Sequence, residues 1–174
     1  MSFENMITTA EQYRQTSQRK SNAHYGMSES ASRKHTLLGV PAAIASGIVG
    51  TAIFSSLNSP KEILPIQLAA GLLSLLTAVL VSLQTFFNFA DVAAKHREAA
   101  ASYEAIRHKL DWFILANAHL SGSDGFEQPL ATLLEISSNM DQIRRTAPSI
   151  PDRIYDASQT QVASNPILGS TGKP

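Results

Sequence analysis

Six polar side chains recur along a segment that otherwise has the composition of a membrane-spanning helix. The segment runs from Ile66 to Asp91 and contains no basic residue. Polar groups at membrane depth either hydrogen-bond to a neighbouring helix or line a path for water and ions. These side chains therefore have two possible roles: they pair helices, or they let water and ions pass. The six residues are Gln67, Ser74, Thr77, Gln84, Asn88 and Asp91.

These residues share one face of the predicted helix. With Gln67 at position a of a heptad, all six fall at a or d positions, and Ala70 and Val81 complete the stripe. A repeat of 3.5 residues predicts a left-handed supercoil around an axis shared with other helices. One interpretation is that the stripe bonds to a neighbouring helix; the other is that copies of the chain surround a pore, which Val81 could close by dewetting. The candidate pore-lining residues are Gln67, Ser74, Thr77, Val81, Gln84, Asn88 and Asp91.

The stripe belongs to the second of two uncharged stretches. No Asp, Glu, Lys or Arg occurs from Thr36 to Pro60 or from Ile63 to Ala90. Each stretch exceeds the roughly 20 apolar residues that cross a bilayer as helix, so we predict transmembrane helices over 36–57 and 63–90. Basic residues flank the pair on both outer sides, whereas the intervening turn contains only Lys61. By the positive-inside rule both termini should be cytoplasmic, with residues 58–62 outside.

Small residues recur at every fourth position of the first span. Such spacing permits close approach of helix backbones, which is how helices gain affinity for one another in lipid. The partner is either the second span of the same chain or a neighbouring chain. The predicted packing row is Gly39, Ala43, Gly47, Thr51 and Ser55.

Helical pattern also extends outside the spans. Residues 1–35 are predicted as an amino-terminal helix, and residues 91–146 as a helical hairpin that continues the second span without a break and turns at 121–125. Residues 147–174 form an extended tail rich in Pro, Gly and Ser. The continued helix has an apolar seam that we assign to contacts between chains in an oligomer: Val92, Ala99, Tyr103, Ile106, Leu110 and Phe113.

Other chemistry finds little support in the sequence. The 14 basic and 14 acidic residues balance, which argues against a nucleic-acid footprint, and there is no cysteine. His96, His108 and His119 lack the i, i+4 spacing of a helical metal site and are interpreted as surface or packed residues. "GSTGK" lacks the first glycine of a phosphate loop. We therefore expect no enzyme activity, no metal and no cofactor.

Two further stretches carry a resemblance to a known family. "FFNFADVAAKHREAAASYEAIRHKLDWFI" and "RRTAPSIPDRIYD", after a basic amino-terminal helix and two closely spaced spans, resemble the SLATT family of two-transmembrane effector domains. The resemblance covers approximately Glu11 to Asp156. It implies an effector of bacterial conflict and anti-phage systems that forms a pore or disrupts the membrane. It also implies a separate sensor or nucleotide second-messenger system as the trigger.

The combined expectation is an all-α membrane protein. Its two-helix transmembrane hairpin has a long second helix extending into a cytoplasmic helical bundle. The expected function is a homo-oligomeric effector that forms a regulated pore or otherwise disrupts the bilayer. The alternative is a membrane-anchored scaffold that binds a signalling partner and uses the polar stripe only to hold helices together. A water-soluble bundle with two unusually buried helices is a third possibility.

Overall fold

The computed structural model describes residues 3–57, 64–118 and 127–154, and of residues 55–57 and 64 it describes the backbone alone. Four helices account for nearly all of this part of the chain, which contains no strand. The prediction of an all-α protein is confirmed. The helices are α1 (Phe3–Leu57), α2 (Leu64–Phe87), α3 (Phe89–Asn117) and α4 (Glu127–Thr146).

Helix α1 is longer than either element predicted within it. It crosses the expected boundary between residues 35 and 36 without a break. The change from charged to apolar sequence alters what the helix can face, but it introduces no residue that would end it. Pro41 lies inside α1 as a result. A proline there removes one backbone hydrogen bond, a loss that membrane helices tolerate better than soluble ones do.

The second span is interrupted where a continuous helix was predicted. Asn88 separates α2 from α3 and has a φ angle of 42°, in the left-handed region. The hydrogen bonds on either side survive, because the Asn88 N–H donates to the Gln84 carbonyl at 3.1 Å and the Val92 N–H donates to the Asn88 carbonyl at 3.2 Å. The break is thus confined to one residue. Asparagine is the non-glycine residue that best tolerates this backbone conformation.

The chain divides into two compact units. The first, called the bundle, comprises Met1–Ser28 and Ala94–Pro174. Its described helices are the start of α1, most of α3, and α4, and they enclose one apolar core. The buried members of that core are Met6, Ala10, Ile106, Leu110, Phe113, Leu133 and Ile136.

The second unit, called the hairpin, comprises Glu29–Ala93 and pairs the rest of α1 with α2. Its large apolar side chains point outward: Leu37, Phe54 and Leu68, for example, are each more than two thirds exposed. In the most apolar windows of the two long helical segments, only 11% and 6% of the residues are buried within the chain. The core helices of a water-soluble bundle would be mostly buried, and these two are not. By length and composition both helices could cross a membrane.

The predicted turn at 58–62 lies outside the described residues, as does the turn at 121–125. Of the predicted extended tail, residues 147–154 are described. They include a short helical turn at 152–154, where the Ile154 N–H donates to the Pro151 carbonyl at 3.0 Å.

Candidate functional site: the polar faces of the hairpin and of the bundle

The hairpin is held together by a seam of heptad spacing on both helices. The covered positions of α1 and of α2 follow one another at alternating intervals of 3 and 4 residues. This is the spacing of helices that pack with a small left-handed crossing angle. On α1 the seam consists of Ala31, His35, Leu38, Ala42, Ala45, Val49 and Ala52; on α2 it consists of Ala70, Leu73, Thr77, Leu80 and Gln84.

This seam divides the predicted polar stripe of α2 into two rows. The inner row consists of Ala70, Thr77 and Gln84, which belong to the seam, and of Asp91, which lies one heptad after Gln84. Thr77 is only 9% exposed, and Gln84 and Asp91 are half-buried. The outer row is exposed along its length and consists of Gln67, Ser74, Val81 and Asn88. The stripe is therefore not one uniform face: the chain itself covers the inner row and leaves the outer row uncovered.

Gln84 makes a polar contact between the two hairpin helices. Its Nε2 lies 3.0 Å from His35 Nδ1, and because an amide nitrogen only donates, the ring nitrogen accepts. Gly39 leaves room for this amide: a Cβ at position 39 would lie 3.1 Å from the Gln84 Nε2. Thr77 is satisfied within its own helix, since its hydroxyl donates to the Leu73 carbonyl at 2.8 Å. For Gln84 the structure thus agrees with helix pairing.

The predicted small-residue row of α1 does not face α2. Only Gly39 of that row contacts the partner helix, whereas Ala43, Gly47 and Thr51 are exposed; the side chain of Ser55 lies outside the described residues. The prediction is wrong for packing within the chain, because a left-handed seam follows the 3.5-residue heptad and not every fourth residue. Ala42 and Ala45 occupy the contact instead. The exposed small residues stay available for a neighbouring chain.

The predicted oligomer seam of α3 lies inside the bundle. Five of its six residues are buried within this one chain, and the sixth, Val92, is exposed. The periodicity identified the correct face of α3, but α1 and α4 of the same chain cover that face. Side chains already enclosed in this way are not free to form the predicted contact between chains. The five are Ala99, Tyr103, Ile106, Leu110 and Phe113.

A buried polar cluster in the bundle was not anticipated. Ser17, Ser21, His24 and Ser28 are all buried on α1, and His24 meets His96 of α3 with 2.9 Å between their Nδ1 atoms. The Ser21 hydroxyl donates to the Ala100 carbonyl at 3.0 Å. The spacing of the four α1 residues, 4 then 3 then 4, is the signal in the sequence, because it places them on one face of the helix. His96 had been interpreted as a surface or packed residue, and it is packed.

The electrostatic setting of this cluster disfavours charge. Burial, followed by the nearby His96 and Lys20, lowers the pKa of His24 to about 4. Burial likewise lowers the pKa of His96. At the periphery of the bundle the opposite holds, since the hydrogen bond from Arg14 lowers the pKa of Glu11. The histidines of the cluster are therefore neutral at pH 7.

Within the described residues no group of three or more His, Asp or Glu side chains is arranged to hold a metal ion. His108 is exposed and lies beside Arg107, and His119 lies outside the described part of the chain.

Comparisons with models of known protein families, with functionally curated proteins and with solved structures give no significant match. The class that the fold defines is thus a helical protein with two potential membrane-spanning helices.

The left-handed backbone at Asn88 leads to a first prediction. Replacing Asn88 with valine should lower the free energy of unfolding by about 1–2 kcal/mol, because a β-branched residue is poorly accommodated at positive φ. Asn88→Gly should change it by less than about 0.5 kcal/mol, since glycine adopts this conformation freely. Thermal unfolding in detergent, followed by circular dichroism, measures both.

The matched control is Ala90→Val, at an exposed position with ordinary helical backbone two residues further on. It should cost only the small difference in helix propensity. Equal losses for the valine variants at 88 and 90 would contradict the assignment of Asn88 as a left-handed break.

Proposed function

We propose that this protein is a membrane effector whose hairpin crosses the bilayer and assembles with further copies around a polar path. The two uncharged stretches supply the spans, and the basic residues on their outer flanks favour cytoplasmic ends. The membrane that the family resemblance implies is the bacterial inner membrane. The resemblance to the SLATT family supports the same role. In that interpretation a separate sensor or a nucleotide second-messenger system supplies the trigger.

The observation that carries the proposal is the exposed outer row of α2. Gln67, Ser74 and Asn88 are polar, lie in or at the end of a mainly apolar helix, and are exposed in the single chain. Polar side chains facing hydrocarbon are costly, so membrane proteins turn them toward a protein interface or toward water. Assembly of several hairpins would provide that environment. The exposed Ala43, Gly47 and Thr51 of α1 would let neighbouring hairpins approach closely.

The division of the stripe alters the expected pore lining. Gln67, Ser74 and Asn88 would form successive polar rings, and Val81, 48% exposed in the single chain, would form the apolar ring between them. Thr77 and Gln84 would instead hold each hairpin together. A ring of apolar side chains can block water without closing the backbone, so Val81 is the candidate gate.

The test is conductance in planar bilayers of the purified, reconstituted protein. Ser74→Leu should reduce the open conductance or the opening rate by about tenfold or more, the effect of roughly 1.4 kcal/mol on a barrier. Val81→Asn should raise the fraction of time spent open, because it hydrates the apolar ring.

Ser82→Leu is the matched control for Ser74→Leu. Ser82 is also exposed on α2 but lies outside the outer row, and its hydroxyl donates to the Ala78 carbonyl at 2.7 Å. Its replacement should leave conductance unchanged. Equal effects of the two leucine variants would contradict a path along the outer row.

The alternative function, a membrane-anchored scaffold, is favoured by a different observation. The bundle buries five of the six residues of the α3 seam within one chain, so it could present a complete surface to a signalling partner without forming an oligomer first. Light scattering on the detergent-solubilised protein separates the two functions. A ring of four or more chains supports the pore, and a monomer without conductance supports the scaffold.

A further inference from the structure

The contact between α1 and α3 in the bundle has a polar centre where a helical bundle would ordinarily be apolar. His24 and His96 are 2% and 3% exposed. The other buried residues on this stretch of the two helices are Ser17, Ser21 and Ser28 of α1 and Ala99 and Ala100 of α3, and the Ser21 hydroxyl donates to the Ala100 carbonyl. The two histidines are 72 residues apart in the chain. Their contact therefore forms only when α1 and α3 are paired.

The two imidazole rings are joined by their Nδ1 atoms. At 2.9 Å, one Nδ1–H donates and the other Nδ1 accepts, an arrangement that requires one shared proton. If both rings were protonated, both Nδ1 atoms would be donors and would repel each other. The hydrogen bond that joins the helices thus depends on at least one neutral ring.

The groups around the pair do not favour positive charge. On α1, Lys20 adds a cation; on α3, Tyr103 stacks on the His24 ring at 5.7 Å between centroids. The Lys20 ammonium lies 5.2 Å from the centre of the Tyr103 ring. From α4, Arg144 and Asp141 act on Lys20 with opposite signs. The charges that act on His24 itself come from His96 and Lys20, both of which oppose its protonation.

We propose that the His24–His96 contact is a proton-operated latch, in which proton uptake by the two imidazoles separates α1 from α3 at this level of the bundle. A device of this kind does not depend on whether the hairpin conducts ions. It acts on the pairing of two helices that both continue into the hairpin, α1 beyond Ser28 and α3 before Ala94.

The direction of the pH dependence follows from linkage. In the separated state each imidazole regains an ordinary pKa near 6.5, whereas in the paired state His24 has a pKa of about 4. The separated state therefore binds more protons between these values. Pairing has its full stability above about pH 6.5 and loses it as the pH falls toward 4. For His24 alone, a change from pH 7.5 to 5.5 raises the ratio of separated to paired molecules about tenfold.

The experiment measures the α1–α3 distance directly in the full chain, in lipid nanodiscs. Because the sequence contains no cysteine, two introduced cysteines at the exposed positions Asn22 and Ala101 can carry spin labels beside the Ser21–Ala100 contact. Pulsed electron resonance should show a longer distance population at pH 5.5 that is at least about tenfold larger, relative to the short one, than at pH 7.5.

His108→Leu is the control, since His108 is an exposed histidine on the same helix. This variant should keep the full response, whereas the His24→Leu/His96→Leu double variant should lose it. A response that persists in the double variant, or a distance that does not change with pH in the unaltered chain, would overturn the latch.

A second measurement needs no variant of the pair. Nuclear magnetic resonance of the imidazole nitrogens in the unaltered protein should show the paired form of His24 titrating near pH 4. If His24 and His96 both titrate at about 6.5 or above, the proposal is wrong.

Discussion

Replacing Leu110 with alanine should lower the free energy of unfolding of the bundle by about 2–5 kcal/mol. Leu110 is fully buried and packs in the core that α1, α3 and α4 share, with Met6, Phe113 and Leu133 among its members. The substitution removes apolar contacts and leaves a cavity, because the three surrounding helices can relax only partly into the space. Hydrogen exchange of the α3 amides, in detergent at pH 7.5, measures the opening free energy.

The control for this prediction lies five residues further along the same helix. Leu115 is 66% exposed, so Leu115→Ala should change the opening free energy by no more than about 0.5 kcal/mol. The outcome also bears on the predicted oligomer seam. Leu110→Ala should destabilise the bundle equally at every protein concentration if Leu110 packs within one chain. If the loss of stability were larger at lower protein concentration, Leu110 would instead be part of a contact between chains.

The second large effect is expected in the hairpin, where Gly39→Leu should weaken the pairing of α1 and α2 by about 1–3 kcal/mol. Any Cβ at position 39 comes within 3.1 Å of the Gln84 amide, and a leucine would displace that amide from His35. The cost combines overpacking with the loss of one interhelical hydrogen bond, itself about 1 kcal/mol in a membrane. Energy transfer between dyes at Arg33 and Ala90, followed during titration with a denaturing detergent, reports the separation.

Gly47→Leu provides the comparison, because a Cβ at position 47 meets no atom within 4 Å. It should leave pairing within the chain unchanged. If neighbouring chains pack on the exposed row that contains Gly47, the same variant should lower the oligomer mass. If both variants weakened the pairing of α1 and α2 to the same degree, the face of α1 that contacts α2 would not be the seam from Ala31 to Ala52.

Much of the fold could be predicted from the sequence because its causes are local. The absence of charge over two stretches of 25 and 28 residues determines which segments can enter hydrocarbon, whatever the rest of the chain does. The heptad pattern of α3 likewise identified the face that becomes buried, since side chains 3 and 4 residues apart must share one side of a helix. What this pattern could not specify was the partner. An apolar face is covered equally well by another chain or by α1 and α4 of its own chain.

The candidate site shows the same limit more sharply. The amino-acid sequence by itself determined that α2 has a polar stripe, because the types and the 3.5-residue spacing are present in one segment. Only the tertiary structure decided that α1 covers Thr77 and Gln84 and leaves Gln67, Ser74 and Val81 exposed. The a and d positions of a heptad are about 60° apart around a helix. A partner helix can therefore cover the row of a positions or the row of d positions and leave the other row exposed. The His24–His96 contact also needed tertiary structure, since no local rule relates two histidines 72 residues apart.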